Sequence, residues 1–184
     1  MVKLNIPGNI HFVTARTYNR QPIFNKDKCC EIFLDNLAIY RNKFKFKIYA
    51  YVIMPDHVHM LIYPNYTPLR VSPNSFGAEL REKTPNEFGV TPKESNISYI
   101  LKNIKGCSAR EINKYLNGEG SIWLKGFYDF NIFSDQKFEE KLSYIHQNPL
   151  KAGLVTDISE YKYCSWRNYN HEDNTIFQID YYEF

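Results

Sequence analysis

The run Tyr51-Val52-Ile53-Met54-Pro55-Asp56-His57-Val58-His59-Met60-Leu61-Ile62-Tyr63 constrains the fold of this chain more than any other. Two apolar, β-branched stretches meet at Met-Pro-Asp, the pattern of two strands joined by a tight turn. His57 and His59 are two positions apart. Side chains alternate faces along a strand, so both imidazoles leave the same side of the sheet. Val58, Met60 and Ile62 then point the other way, into a core. Two imidazoles placed like this form half of a metal site. The commoner fate of a strand histidine is a surface or satisfied core position. A polar pair on an otherwise apolar strand, however, costs stability unless it is paired or ligated. The chain has five histidines, and two of them stand in this one pair.

Periodicity predicts what flanks the hairpin. His11 to Thr17 alternates as a first strand, ended at Asn19-Arg20-Gln21-Pro22. From about Lys26 to Asn42, Cys30, Phe33, Leu34 and Leu37 make one helical face, with Asn25 as the expected N-cap. Phe44 to Ile53 and His57 to Tyr63 are the second and third strands. A second helix runs from Glu94 to Asn117, starting near Ser95 or Asn96, with Ile97, Ile100, Leu101, Ile104, Ser108 and Ile112 inward. Its outer side carries Lys102, Lys105, Arg110 and Lys114, a basic face able to cradle phosphates, although a charged outer face is the default for a soluble helix. Tyr128 to Phe133 is a fourth strand. Ser134 or Asp135 caps a third helix through Phe138, Leu142 and Ile145, ended by Pro149, with Gly153 in a turn soon after.

The order is strand, helix, strand, strand, helix, strand, helix. It predicts an α+β fold with a ferredoxin-like βαββαβ core: an antiparallel sheet with helices on one face, plus one additional C-terminal helix. The first and third strands of that topology are central, which places His57 and His59 on a rigid element. At 184 residues the chain is expected to form a single domain over 1–184, with a long loop at about 64–94 and a C-terminal tail at about 156–184.

Composition narrows the functional classes. The formal charge is +3, and aromatic residues make up 16% of the chain, with 15 Tyr and 13 Phe, many beside Lys or Arg. Rings and cations together suit single-stranded nucleic acid, although most of these rings are expected to pack a core. No apolar run is long enough to span a membrane. Cys29, Cys30, Cys107 and Cys164 lack metal-site or disulfide spacing, as expected of reduced thiols in a cytoplasmic protein.

Near the end of the third helix, Tyr144 and Asn148 are four residues apart and so share a face. A helix lying across the sheet would aim Tyr144 at a metal, with the Asn148 amide oxygen as a third ligand. Two imidazoles, an amide oxygen and open water positions suit Mg²⁺ or Mn²⁺ better than structural zinc. The alternative is a half-buried ring and an ordinary helix-end amide.

Together, Pro55-Asp56-His57-Val58-His59, Ile122-Trp123, the run from Tyr144 through Asn148-Pro149-Leu150-Lys151-Ala152-Gly153-Leu154-Val155, and Tyr161 to Trp166 resemble the REP-associated tyrosine transposases. That family belongs with the single-strand insertion-sequence transposases in the His-hydrophobe-His single-tyrosine nuclease superfamily. The resemblance runs from the strand at His11 to about Tyr169. It implies a DNA endonuclease and strand transferase that binds single-stranded, hairpin-forming DNA. By position it assigns His57 and His59 to a divalent metal, Tyr144 to the nucleophile that forms a 5′-phosphotyrosine, and Asn148 to the amide ligand. Lys102, Lys105, Arg110, Lys114 and Lys125 are then expected phosphate contacts, and Trp123, Phe127 and Tyr128 expected stacking rings. Monomer and homodimer both stay open. The competing expectations are a metal-dependent hydrolytic RNase or nuclease, a hairpin-binding protein without catalysis, and a domain with an incidental histidine pair.

Overall fold

The computed structural model describes residues 8–65 and 96–183. Strands β1 (Ile10–Arg16), β2 (Lys47–Met54), β3 (His57–Tyr63) and β4 (Tyr128–Ile132) form one antiparallel sheet in the order β2-β3-β1-β4. Helices are α1 (Asp27–Phe44), α2 (Ile97–Leu116), α3 (Asp135–Lys151) and a short α4 (Trp166–His171). The chain order and the central place of β3 and β1 are those of the expected ferredoxin-like arrangement. The long loop expected at about 64–94 lies almost wholly outside the described residues, as do Glu94 and Ser95, whereas Asn96 is the N-cap of α2, its side-chain oxygen accepting from Ser98 N–H at 2.8 Å.

The sheet separates two apolar clusters. Val13, Ala15, Ile53, Val58, Met60 and Ile62 pack with α1 and α2 on one face. On the other face, Phe12, Val52, Met54 and Leu61 pack with Phe138 and Ile145 of α3. A bulge between Ile48 and Ala50 shifts the register of β2, so Tyr49 and Ala50 both join this second cluster. Ile145 is fully buried, and an aliphatic side chain taken out of water contributes about 1.5–3 kcal/mol. The α3 helix is thereby fixed across the face from which His57 and His59 project.

Several boundaries depart from the periodic reading. Asn25 does not cap α1. Ile23–Asn25 forms a 3-10 turn, and Lys26 takes the N-cap position with no side-chain bond. The Phe24 N–H donates to the Pro55 carbonyl at 3.0 Å, and the Phe24 ring packs on Phe33 and Trp123. This segment therefore belongs to the hairpin turn and the core rather than to the helix. Pro149 does not end α3, which continues to Lys151. The helix closes at Gly153, whose φ of +66° lets its N–H reach the Leu150 carbonyl while Leu154 N–H reaches that of Pro149. This is a Schellman closure, and it satisfies carbonyls that the proline alone would leave open.

The tail supplies an element that periodicity did not predict. Ser165 N–H donates to the Tyr51 carbonyl at 2.9 Å, Ile53 N–H to that of Tyr163 at 3.0 Å, and the Asp180 carboxylate accepts from Ile48 N–H. Unpaired groups along the outer edge of β2 are thus covered by the chain's own C-terminal segment, which removes a template for strand addition.

The β2–β3 turn is held from outside. Neither Pro55 nor Asp56 adopts a left-handed φ, which excludes the primed turns that best suit a two-residue hairpin loop. The Asp56 carbonyl accepts from both the backbone N–H and the hydroxyl of Thr17, at 2.8 and 2.9 Å. Thr17→Val keeps the shape and loses the hydroxyl donor, which also serves the Gln21 carbonyl. The expected cost is about 1–2 kcal/mol, measured by urea denaturation. An unchanged midpoint would show that the turn holds itself.

Candidate active site

In register, β3 faces β1 so that His57 lies opposite Arg16, His59 opposite Thr14 and Leu61 opposite Phe12. The two imidazoles have ring centroids 4.7 Å apart and planes at 80°. His57 Nδ1 is 2.6 Å from a carboxylate oxygen of Asp56, and His59 Nδ1 is 2.7 Å from Thr14 Oγ1. The carboxylate can only accept, so His57 Nδ1–H donates and leaves Nε2 a lone pair. In the same tautomer His59 would donate its Nδ1–H to the threonine hydroxyl and keep its lone pair on Nε2.

His59 is 4% exposed, and its Nε2 is buried with no hydrogen-bond partner among the described residues. Burial, with the charges of His57 and Arg16 acting in the same direction, pushes its pKa down to about 3. A neutral imidazole with Nδ1 engaged and Nε2 buried without a partner has the chemistry to ligate a metal. These residues fit a divalent cation. Among the described residues no group of three or more His, Cys, Asp or Glu side chains is placed to hold a metal. The remaining donors would therefore be an amide, water or substrate oxygens, as suits Mg²⁺ or Mn²⁺.

The inward packing of Phe138 and Ile145 turns Tyr144 toward the histidines. Its ring meets the His59 ring edge-on at 5.3 Å and that of Phe12 at 5.8 Å, and the residue stays 40% exposed. A nucleophile needs this combination, since it must be fixed by packing yet reachable by substrate. Lys151 Nζ lies 5.9 Å over the phenol ring. Asn148, one turn beyond, is partly buried, and its backbone carbonyl accepts from Ala152. His146, on another side of α3, is partly buried at 3.0 Å from Ser165 Oγ, and burial pushes its pKa down to about 4. It ties the helix to the tail and does not face the histidine pair.

A cavity of about 610 Å³ opens between β1, α3 and the 124–128 loop, lined by His59, Tyr144, Thr14, Arg16, Lys125 and Lys141 together with several rings. Of the residues picked out by sequence, Lys125, Phe127 and Tyr128 line it. His57 and Asn148 do not; His57 adjoins it through the His59 ring, whereas Asn148 is not brought to the histidine pair by any contact among the described residues. Lys102 and Lys105 border a second groove of about 420 Å³ that shares the segment 124–127 with the first. Lys105 Nζ donates to the carbonyls of Leu124 and Gly126 and so pins that loop. Arg110 and Lys114 lie at neither cavity, and Arg110 reaches Cys107 Sγ at 2.9 Å. Trp123 is 7% exposed, packs on Phe24 and Phe33, and donates its indole N–H to Ser108 Oγ. Its ring is mainly a core element, and the little of it that stays accessible lines the second groove beneath Lys105 Nζ, 6.0 Å over the ring.

Periodicity overlooked Phe12, Thr14, Arg16 and Lys141. The first three alternate along β1 on the histidine side of the sheet, and Lys141 precedes Tyr144 by one helical turn. Strand alternation and helical spacing would have found them once the topology was known.

The molecule thus has a ferredoxin-like sheet with a His-hydrophobe-His pair on a central strand and a tyrosine-bearing helix across it. Residues 7–84 match the family described as Transposase IS200 like. More particularly, the chain is similar to the REP-associated tyrosine transposases, as its motifs imply. A curated protein of Haemophilus influenzae carrying that name is 23% identical over 166 residues, spanning 86% of this chain and 80% of the relative. The solved structure of a REP-associated tyrosine transposase bound to a REP hairpin superposes with a TM-score of 0.67 at 17% identity, covering 100% of this chain and 93% of the other. At that identity the superposition establishes the fold. Among the described residues no helix is long and apolar enough to cross a membrane.

Proposed function

We propose that the protein is a single-stranded DNA endonuclease and strand transferase that recognises hairpin-forming DNA and cleaves it through Tyr144. The observation that carries this is the edge-on contact of Tyr144 with His59, at 5.3 Å, beside a buried and unpartnered imidazole nitrogen. The likeness to a transposase solved with a REP hairpin supports the choice of substrate.

The scissile phosphate would sit in the cavity between Tyr144 and the basic side chains. Tyr144 Oη attacks phosphorus in line. The Oη–P bond forms and the P–O3′ bond breaks. The phenol gives up its proton, and the departing 3′-oxygen takes one up. The product is a 5′-phosphotyrosine and a free 3′-OH, and because the phosphodiester energy is kept, another 3′-OH can reverse the step and transfer a strand. His57 and His59, with Asn148 as amide donor, would hold Mg²⁺ or Mn²⁺, and such an ion would supply Lewis-acid polarisation of the phosphate and offset developing charge. Lys125 and Lys102 would follow the backbone, with Phe127 and Tyr128 as stacking rings.

The test is a denaturing gel of protein mixed with labelled single-stranded hairpin DNA from the repeats flanking its gene, with Mg²⁺ or Mn²⁺. A slow-migrating covalent adduct that chelator abolishes supports the proposal. Cleavage without adduct would assign the protein to hydrolytic nucleases, and binding without cleavage would make it a hairpin-binding protein.

A further inference from the structure

We infer that Lys141 is the protein's contact to the scissile phosphate, an assignment that rests on the tyrosine nuclease reading above. Lys141 and Tyr144 are three residues apart on α3 and leave the helix on one face. Both line the cavity that holds His59. The Lys141 ammonium lies 5.6 Å over the Phe12 ring and 5.3 Å over that of Phe130. Phe12 in turn stacks on His59 at 5.4 Å and meets Tyr144 edge-on at 5.8 Å. One aromatic ring thus sets the distance between cation, imidazole and phenol. The lysine side chain is 22% exposed, its stem covered by rings and its charge presented to the cavity, so it is placed rather than free to swing.

The charge around it is unbalanced in favour of an anion. Arg16 and Lys125 also line the cavity, and among the described residues no carboxylate does. The carboxylate that Lys141 does meet is Glu140, at 3.0 Å, which is shared with Lys137. One carboxylate between two ammonium groups leaves the cluster cationic. Arg16 stands on β1 opposite His57, and Lys125 on an exposed loop. Lys141 alone of the three is carried by the tyrosine's own helix, so its spacing from Oη survives any movement of that helix. Charge on the non-bridging oxygens has to be met where the Oη–P bond forms, and a cation fixed there acts on the transition state more than on binding.

Two measurements test this. Lys141→Met keeps the stem and its packing, and Lys141→Arg keeps the charge; melting curves confirm that both fold. In single-turnover adduct formation on hairpin DNA, Lys141→Met is expected to slow the reaction by about 10²–10³-fold, with most of the rate restored in Lys141→Arg. In a Tyr144→Phe background with chelator present, Lys141→Met is expected to lower the slope of log K against log salt for single-stranded DNA by about 0.7. An unchanged slope overturns the assignment whether or not the wild type cleaves. A lowered slope with an unchanged adduct rate also overturns it, by placing the contact at another phosphate. A lowered slope with no adduct from the wild type keeps a phosphate at Lys141 and removes the tyrosine nuclease reading instead.

Discussion

Tyr144→Phe is expected to abolish the covalent protein–DNA adduct and to reduce strand cleavage by about a thousandfold or more, because in the proposed mechanism the lost hydroxyl is the atom that bonds to phosphorus. Removing one oxygen leaves the ring, so the contacts with His59 and Phe12 persist and hairpin binding is expected to stay within about threefold of wild type. The adduct is read on a denaturing gel and the affinity by fluorescence anisotropy in chelator. The structure also supplies the control. Tyr128 lines the same cavity and is more exposed than Tyr144, at 56% against 40%, but it packs edge-on to Phe12 at 6.3 Å. Tyr128→Phe should therefore keep the adduct. An adduct that survives Tyr144→Phe and vanishes in Tyr128→Phe would move the nucleophile to β4.

The second large effect is expected at His59. His59→Leu removes the proposed metal ligand, whose Nε2 is buried and unpartnered, and should lower metal-dependent cleavage by about 10²–10³-fold. Its effect on stability should be small. The variant removes a buried polar atom with no partner, worth about 1–3 kcal/mol, but also takes from the buried Thr14 hydroxyl its 2.7 Å partner at a similar cost, so the metal-free protein should stay close to wild type in stability. An ion that binds only the folded chain raises its melting temperature by mass action. Thermal melts with and without Mn²⁺ therefore separate the two roles. Wild type should shift upward with Mn²⁺, and His59→Leu should not. A variant that keeps the full Mn²⁺ shift would place the ion elsewhere, and one that is strongly destabilised without metal would make His59 a structural residue.

The parts of this molecule legible from its sequence are those written in short periods. Alternation along Tyr51 to Tyr63 specified β3 to the residue, together with the common face of His57 and His59, because a strand's two faces follow from backbone geometry alone. The apolar spacing of α2 and α3 likewise picked out Ile97, Ile104, Phe138 and Ile145 as buried. Element ends were less legible. Asn25 has the chemistry of an N-cap, but the bond from Phe24 to Pro55 and the burial of the Phe24 ring outweighed that local preference. Trp123 shows the same limit. An aromatic beside a lysine suits stacking on a base, and only the packing of α1 and α2 turned its ring into the core.

By itself, then, the sequence determined the strand and helix order, the side of β3 that bears the histidines, and the helix face shared by Tyr144 and Asn148, since each follows from neighbours a few residues apart. The tertiary structure decided that Tyr144 meets His59, that Phe12 stands between imidazole, phenol and ammonium, and that the tail covers the edge of β2. Those relations join residues far apart in the chain. They exist because the apolar face of α3 must be buried against the sheet, and burial is settled by the whole fold rather than by any local stretch of it.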